Sequence, residues 1–306
     1  RTGKTYPPVD QPLHVSLARR NLKGHLTQMK NSQQKDQTEA LGLLEDLIGR
    51  AKNSGADAAD AVFVEGVSLS QSVRMGKPEH LERSESRDIG LRVLIGKRQA
   101  MVSSSDTSRE AMEELAVRAV AMAKAVPEDP FCGLAEVNQL ATDFPDVQSC
   151  DTFEPDADHL SDLASRAEQA ALAVEGISNS EGGSAGWGFN TVAMAASNGF
   201  ARAYANSSHS LSVSVIAGEG TEMEGDYDYT AAVFAADLES PEALGASAGG
   251  KAIKRLNPKK AETAAVPIVF DTRVSKSLVG HLSAAINGSS VARGASFLKD
   301  KMGEKI

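Results

Sequence analysis

The spacing of apolar residues changes several times along this chain, and each change marks an element. Leu41, Leu44, Leu47, Ile48 and Ala51 fall at helical spacing, so residues 38–53 read as an amphipathic helix stopped by Gly55. Ala61–Val64 then form a short apolar run, interrupted at Gly66 and resumed by alternating Val67, Leu69 and Val73. The turn Met75-Gly76-Lys77-Pro78 leads into a second extended run reaching Leu91-Arg92-Val93-Leu94-Ile95. Gly96-Lys97-Arg98 predicts another turn, with Ala100-Met101-Val102 as a third strand. An alanine-rich helix follows from Glu110 to Ala125, closed by Pro127 and Pro130. The order is helix, meandering sheet, helix.

Pro127, Pro130, Pro145 and Pro155, with little periodicity between them, make residues 127–156 a long connection. From Asp158 to Glu175, Leu160, Leu163, Ala164, Ala167, Ala171 and Leu172 share one helical face. Ser184 to Gly218 alternates small and apolar residues and reads as two or three antiparallel strands. A helix is expected from Pro241 to Leu256, then a short buried strand at Val266-Pro267-Ile268-Val269-Phe270, then a helix from Val274 to Ile286. The pattern is still running at Ile306, as in a domain that has been cut. The fold class is α+β. It comprises an N-terminal mixed sheet-plus-helix domain, a central α+β domain with antiparallel strands, and the start of a truncated β-rich C-terminal domain.

Composition narrows the classes. The chain has 306 residues, 41% of them hydrophobic and 24% charged, which excludes wholesale disorder. No window approaches the ~18 uninterrupted apolar residues of a membrane-spanning helix. Cys132 and Cys150 are too few for a disulfide framework or a zinc ribbon and suit a reducing, cytoplasmic compartment. The net charge of −9 is unevenly spread. Residues 1–35 hold seven bases and one acid, leaving 25 bases against 40 acids in the rest, a net −15. So acidic a body repels phosphate backbones, which argues against direct nucleic-acid binding. The basic head lacks a sustained hydrophobic period, and Pro7, Pro8 and Pro12 break its start. Its Arg-rich character fits an organelle transit peptide. The opening on Arg1 and the polar stretch after Met29 favour instead a translation start near Met29, with the head as read-through or disordered sequence.

Catalytic motifs are weak. Gly182-Gly183-Ser184-Ala185-Gly186 matches the G-x-S-x-G nucleophile elbow, but Trp187–Val192 continue as strand rather than helix, so no catalytic serine is expected. Gly90 through Lys97 resembles a phosphate loop, yet its spacing is one residue too long and Arg98 stands where Ser or Thr is needed. A hairpin turn accounts for it. The six histidines, His14, His25, His80, His159, His209 and His281, never pair at i, i+4. His80 sits beside Glu79, Glu82 and Glu85 as on a solvated strand, and His159 among Asp156, Asp158 and Asp162 as at a helix start. Glu222, Glu224, Asp226 and Asp228 alternate without a calcium loop's spacing and read as a solvated strand edge. The residues by themselves supply no self-sufficient catalytic constellation.

An ordered set of segments carries more information. Ser70-Gln71-Ser72-Val73-Arg74-Met75-Gly76-Lys77, Ile89-Gly90-Leu91-Arg92-Val93, and Gly96-Lys97-Arg98 with Ser103-Ser104-Ser105-Asp106 resemble the first domain of the TldD/PmbA metallopeptidase family. This family is also described as modulators of DNA gyrase. Arg166–Leu172, Ser180-Glu181-Gly182-Gly183-Ser184, Arg202-Ala203-Tyr204 and Ser208-His209-Ser210-Leu211-Ser212 resemble its central domain. Gly280-His281-Leu282 and Ser296-Phe297-Leu298-Lys299-Asp300 resemble the opening of its third domain. The resemblance runs in order from about residue 38 to 306 and is to the PmbA/TldE branch. It divides the chain into a non-family head (1–35), a first domain (36–126), a central domain (127–238) and the truncated start of a third (239–306).

The resemblance implies a TldD–PmbA heterodimer that degrades or processes small or unfolded polypeptides, such as leader peptides and antitoxins. Its zinc would sit in the TldD-like partner, on a helix bearing H-E-x-x-x-H whose glutamate acts as general base on metal-bound water. Here the corresponding positions are Val279, Gly280 and Ala284, so no catalytic or metal-binding residue and no cofactor is expected in this chain. His281, Arg293, Ser296 and Phe297 become candidates to line the shared substrate chamber, with simple packing the alternative for His281. A second reading is a non-proteolytic regulatory or binding module in a toxin–antitoxin or DNA gyrase pathway.

Overall fold

The structure, a computed structural model, describes residues 37–305; the basic head and the Met29 start lie outside the described residues. The fold is α+β. It is built on a single six-stranded antiparallel sheet in the order β3-β2-β1-β4-β5-β6. β1 is Ala58–Arg74, β2 Lys77–Ile95 and β3 Arg98–Ser104, followed by helix α2, Arg109–Ala125. Helix α1 covers residues 37–53. After the long connection come α3 (Ala157–Leu172), β4 (Ile177–Ala196), β5 (Ala201–Ala217), β6 (Glu224–Ala232) and α4 (Pro241–Arg255).

Gly66 does not break the first strand. β1 runs unbroken for 17 residues and pairs with β4 from Asp60↔Ala196 to Val73↔Gly183. This pairing joins the first and central stretches of the chain into one sheet. A β-carbon at position 66 would lie 2.4 Å from Asn190 Oδ1, so a larger residue there would push that side chain aside.

Alternation along the long strands places one set of residues towards helices. At one end Ala59, Ala61, Phe63, Ile89, Leu91 and Val93 pack with Leu44 and Leu47 of α1 and Leu115 and Val120 of α2. At the other, Leu69, Val73, Trp187, Leu211, Val213 and Val215 pack with Leu160 and Ala164 of α3 and Leu244 and Ala248 of α4. Each fully buried leucine contributes roughly 2 kcal/mol of transfer free energy. Between the two helical layers the same face is open, with Glu65, Val67, Arg87, Phe189 and Thr191 lining a gap of about 450 Å³. The opposite face presents Ser68, Ser70, Ser84, Gly186, Gly188, Ser208 and Ser210 around a shallower hollow.

The described chain divides into two compact units, one ending at Asn257 and one beginning at Pro258. The second holds α5 (Thr272–Ala285) and α6 (Gly288–Ala292). The short buried strand expected at Val266–Phe270 is absent. These residues are irregular, and Ile268 and Val269 are 73% and 95% exposed. A strand needs a ladder partner; none of the six strands pairs with this segment, and Pro267 removes one of its donors.

Candidate functional site

Helix α5 starts at Asp271, whose Oδ1 accepts a hydrogen bond from Arg273 N at 2.9 Å. Val279, Gly280, His281 and Ala284 all lie on its exposed surface. Valine, glycine and alanine offer no metal-donor atom, so this helix presents the single imidazole of His281. A protein zinc site takes three or four ligands. The donor set on α5 does not fit zinc, and among the described residues no cluster of three or more His, Cys, Asp or Glu could hold a metal ion. Val274, Leu278 and Leu282 form an apolar row along the same helix, each about half exposed.

The other chamber candidates divide. Ser296 is buried, its Oγ donating to the Ala285 carbonyl at 2.5 Å and accepting from Leu298 N at 3.0 Å. It clasps the following turn to the end of α5. Phe297 projects outward at 80% exposure, and Arg293 closes α6 with an exposed side chain. Among the described residues no hydrogen bond or ion pair joins His281, Arg293 and Phe297 to one another.

A different constellation was not singled out from sequence. His209, on β5 opposite Trp187 of β4, is only 3% exposed. Its Nε2 lies 3.3 Å from Asp151 Oδ2, without the alignment that a hydrogen bond needs. Asp151 lies near the end of the long connection, where residues 149–151 run beside β5. Ser207 N donates to the Ser149 carbonyl, and Asp151 N donates to Ser207 Oγ at 2.7 Å. The Asp151 carboxylate in turn accepts from Ala235 N at 2.9 Å and Phe153 N at 3.1 Å.

Burial is the largest influence on both groups. It pushes the His209 imidazole below its ordinary 6.5, against the attraction of Asp151, and the positive charge available to His159 pushes it the same way. On Asp151 burial acts upward but is outweighed by the backbone N–H groups of Ala235, Phe153 and Thr152, leaving the carboxyl below its ordinary 3.8. The arrangement is therefore a neutral imidazole beside a charged carboxylate at neutral pH. The readable signal was the position of His209 in the buried set of β5, shared with Leu211, Val213 and Val215.

Three family models match in order. The PmbA/TldA metallopeptidase domain 1 matches residues 59–123, the central domain 150–256, and the C-terminal domain 263–306. The chain belongs to the PmbA/TldD metallopeptidase family. It is 35% identical to Metalloprotease PmbA of Escherichia coli O157:H7 over 268 residues, 86% of this chain and 60% of that protein. It is 34% identical to a Metalloprotease PmbA homolog of Haemophilus influenzae over 282 residues, 92% of this chain and 61% of that protein. The chain thus spans about three fifths of the length of these curated relatives. In fold it is similar to a proposed modulator of DNA gyrase from Bacteroides thetaiotaomicron, with a TM-score of 0.79 and 24% identity. That match covers 87% of this chain and 61% of the other. No helix among the described residues is long and apolar enough to cross a membrane.

Proposed function

We propose that this chain is a PmbA/TldE-type subunit that completes a zinc peptidase with a TldD-like partner and supplies no metal ligand itself. The observation that carries the reading is α5: inside a family of metallopeptidases, the helix expected to hold zinc has Val279, Gly280 and Ala284 in place of donors. In this reading the partner binds zinc and cleaves small or unfolded polypeptides in the cytoplasm. The exposed His281, Arg293 and Phe297 line the chamber, and Ser296 holds their turn in place. The apolar row Val274, Leu278 and Leu282 gives α5 a face to bury on assembly.

The test is co-expression with a TldD-like chain carrying H-E-x-x-x-H, followed by metal analysis and peptide cleavage. The expected result is a stable complex with one zinc per heterodimer and cleavage that needs both chains. Stoichiometric zinc and proteolysis by this chain alone would overturn the assignment.

A further inference from the structure

Beside His209 lies a cavity of about 330 Å³, walled by Leu160 and Leu163 of α3, Leu211 of β5 and Leu238 of the loop before α4. This size sits at the small end of ligand pockets and suits one ring system. Three aromatic side chains gather at it. The Phe153 ring stands edge-on to His159, with centroids 5.3 Å apart, and stacks on His209 at 6.2 Å. Phe153 is nevertheless 42% exposed, leaving apolar ring surface open beside an apolar cavity.

The polar character of the lining is one-sided. His159, His209 and Glu239 are its titratable members, with Asp151 directly behind His209; no lysine or arginine lines it. His209 is held neutral by burial, so the net local charge is negative. The walls are also fixed in advance, because Asp151 holds Phe153 and Ala235 through their backbone N–H groups.

The geometry points to a binding site for one neutral or cationic aromatic group, the side chain of a peptide, seated against Phe153 and His209. Contact with the half-exposed Phe153 ring, backed by His209, supplies the attraction, and the acidic surround rejects aromatic carboxylates. Only the peptide source rests on the polypeptide-processing reading; the ring chemistry stands without it.

The test is NMR titration of the whole chain, labelled at histidine and phenylalanine, with indole, tryptamine, indole-3-acetate and N-acetyltryptophanamide. The expected result is saturable movement of the His209 and Phe153 ring signals with indole, tryptamine and N-acetyltryptophanamide. Indole-3-acetate should bind roughly tenfold more weakly than tryptamine. Phe153→Ala, at a half-exposed position, should weaken indole roughly fivefold, and Leu163→Trp should fill the cavity and abolish binding. Unmoved His209 and Phe153 signals at millimolar indole would overturn the site, as would equal binding to the Phe153→Ala variant. Equal affinity for indole-3-acetate and tryptamine would refute the charge argument. Binding of indole without N-acetyltryptophanamide would refute the peptide source. None of these readouts depends on zinc or on a partner chain, so they fail or succeed separately from the peptidase assignment.

Discussion

Gly183 of β4 and Ala164 of α3 meet backbone to backbone: a β-carbon at position 183 would lie 2.3 Å from the Ala164 carbonyl oxygen. That contact explains why a glycine occurs inside the G-x-S-x-G match. The close approach of helix to strand thus uses the position the match leaves open, while its defining glycines, Gly182 and Gly186, lie against Val73 and Ser210 of neighbouring strands. Gly245 of α4 makes a similar approach one turn along α3: a β-carbon there would lie 2.2 Å from the Ala167 oxygen. Gly183→Ala should therefore cost about 3 kcal/mol through overpacking. Ser184→Ala, half-buried in the same strand, should stay within about 0.5 kcal/mol of the parent. Urea denaturation separates the two. A Ser184→Ala variant that folds normally but abolishes peptide cleavage would restore the serine to a chemical role.

Glu168 makes a second kind of tether. It is 1% exposed, yet its carboxylate accepts from Met75 N at 2.8 Å, Gly76 N at 2.9 Å and Ser180 Oγ at 2.6 Å. Met75 and Gly76 form the β1–β2 turn and both hold positive φ, 50° and 70°. The carboxylate thus fixes a strained turn to the middle of the central helices. Glu168→Gln keeps the volume but turns an amide N–H₂ towards a donor. The expected loss is about 2–3 kcal/mol, with faster hydrogen exchange at Met75 and Gly76. Unchanged exchange at those two amides would show that the turn holds itself.

Much of the fold was legible because its signals are local. The helices announce themselves by period and by caps: Ser108, Asp156 and Ser240 each accept from a backbone N–H of the first turn. Gly96-Lys97-Arg98 is indeed a hairpin turn, with Gly96 at a φ of 55°. What escaped was non-local. The β1–β4 pairing joins residues more than a hundred positions apart, and only that pairing explains Gly66, which in isolation reads as a break. Val266–Phe270 carries strand composition, but composition cannot supply a partner strand. Asp151 and His209 lie on opposite sides of β4 in sequence and meet only when the long connection lies against β5.

That pair also sets a pH dependence. The folded pKa of His209 is below 6.5, so the unfolded chain takes up its proton first as pH falls. Stability from this group is full above the unfolded value and is lost as pH drops through the folded one. Asp151, also lowered, acts in the same direction but below its unfolded 3.8. Melting temperature should therefore fall as the buffer goes from pH 7 to about pH 5. His209→Gln should flatten that limb while leaving the steeper loss under about pH 4. A parent protein that gains stability on acidification through this range contradicts the assignment of a neutral buried imidazole.

His281 distinguishes a chamber contact from a metal ligand. A lone imidazole on α5, with no donor at Val279, Gly280 or Ala284, cannot fix zinc by itself. If the chain assembles with a TldD-like partner as proposed, His281→Ala should leave the zinc content of that complex unchanged. If His281 meets bound peptide, KM should rise roughly three- to tenfold with kcat nearly constant, as expected when uniform binding is removed. Loss of zinc in this variant would move the metal site onto this chain. Unaltered zinc and unaltered KM would place His281 on a surface the peptide never touches, and the apolar row Val274, Leu278 and Leu282 would then be the part of α5 that serves assembly.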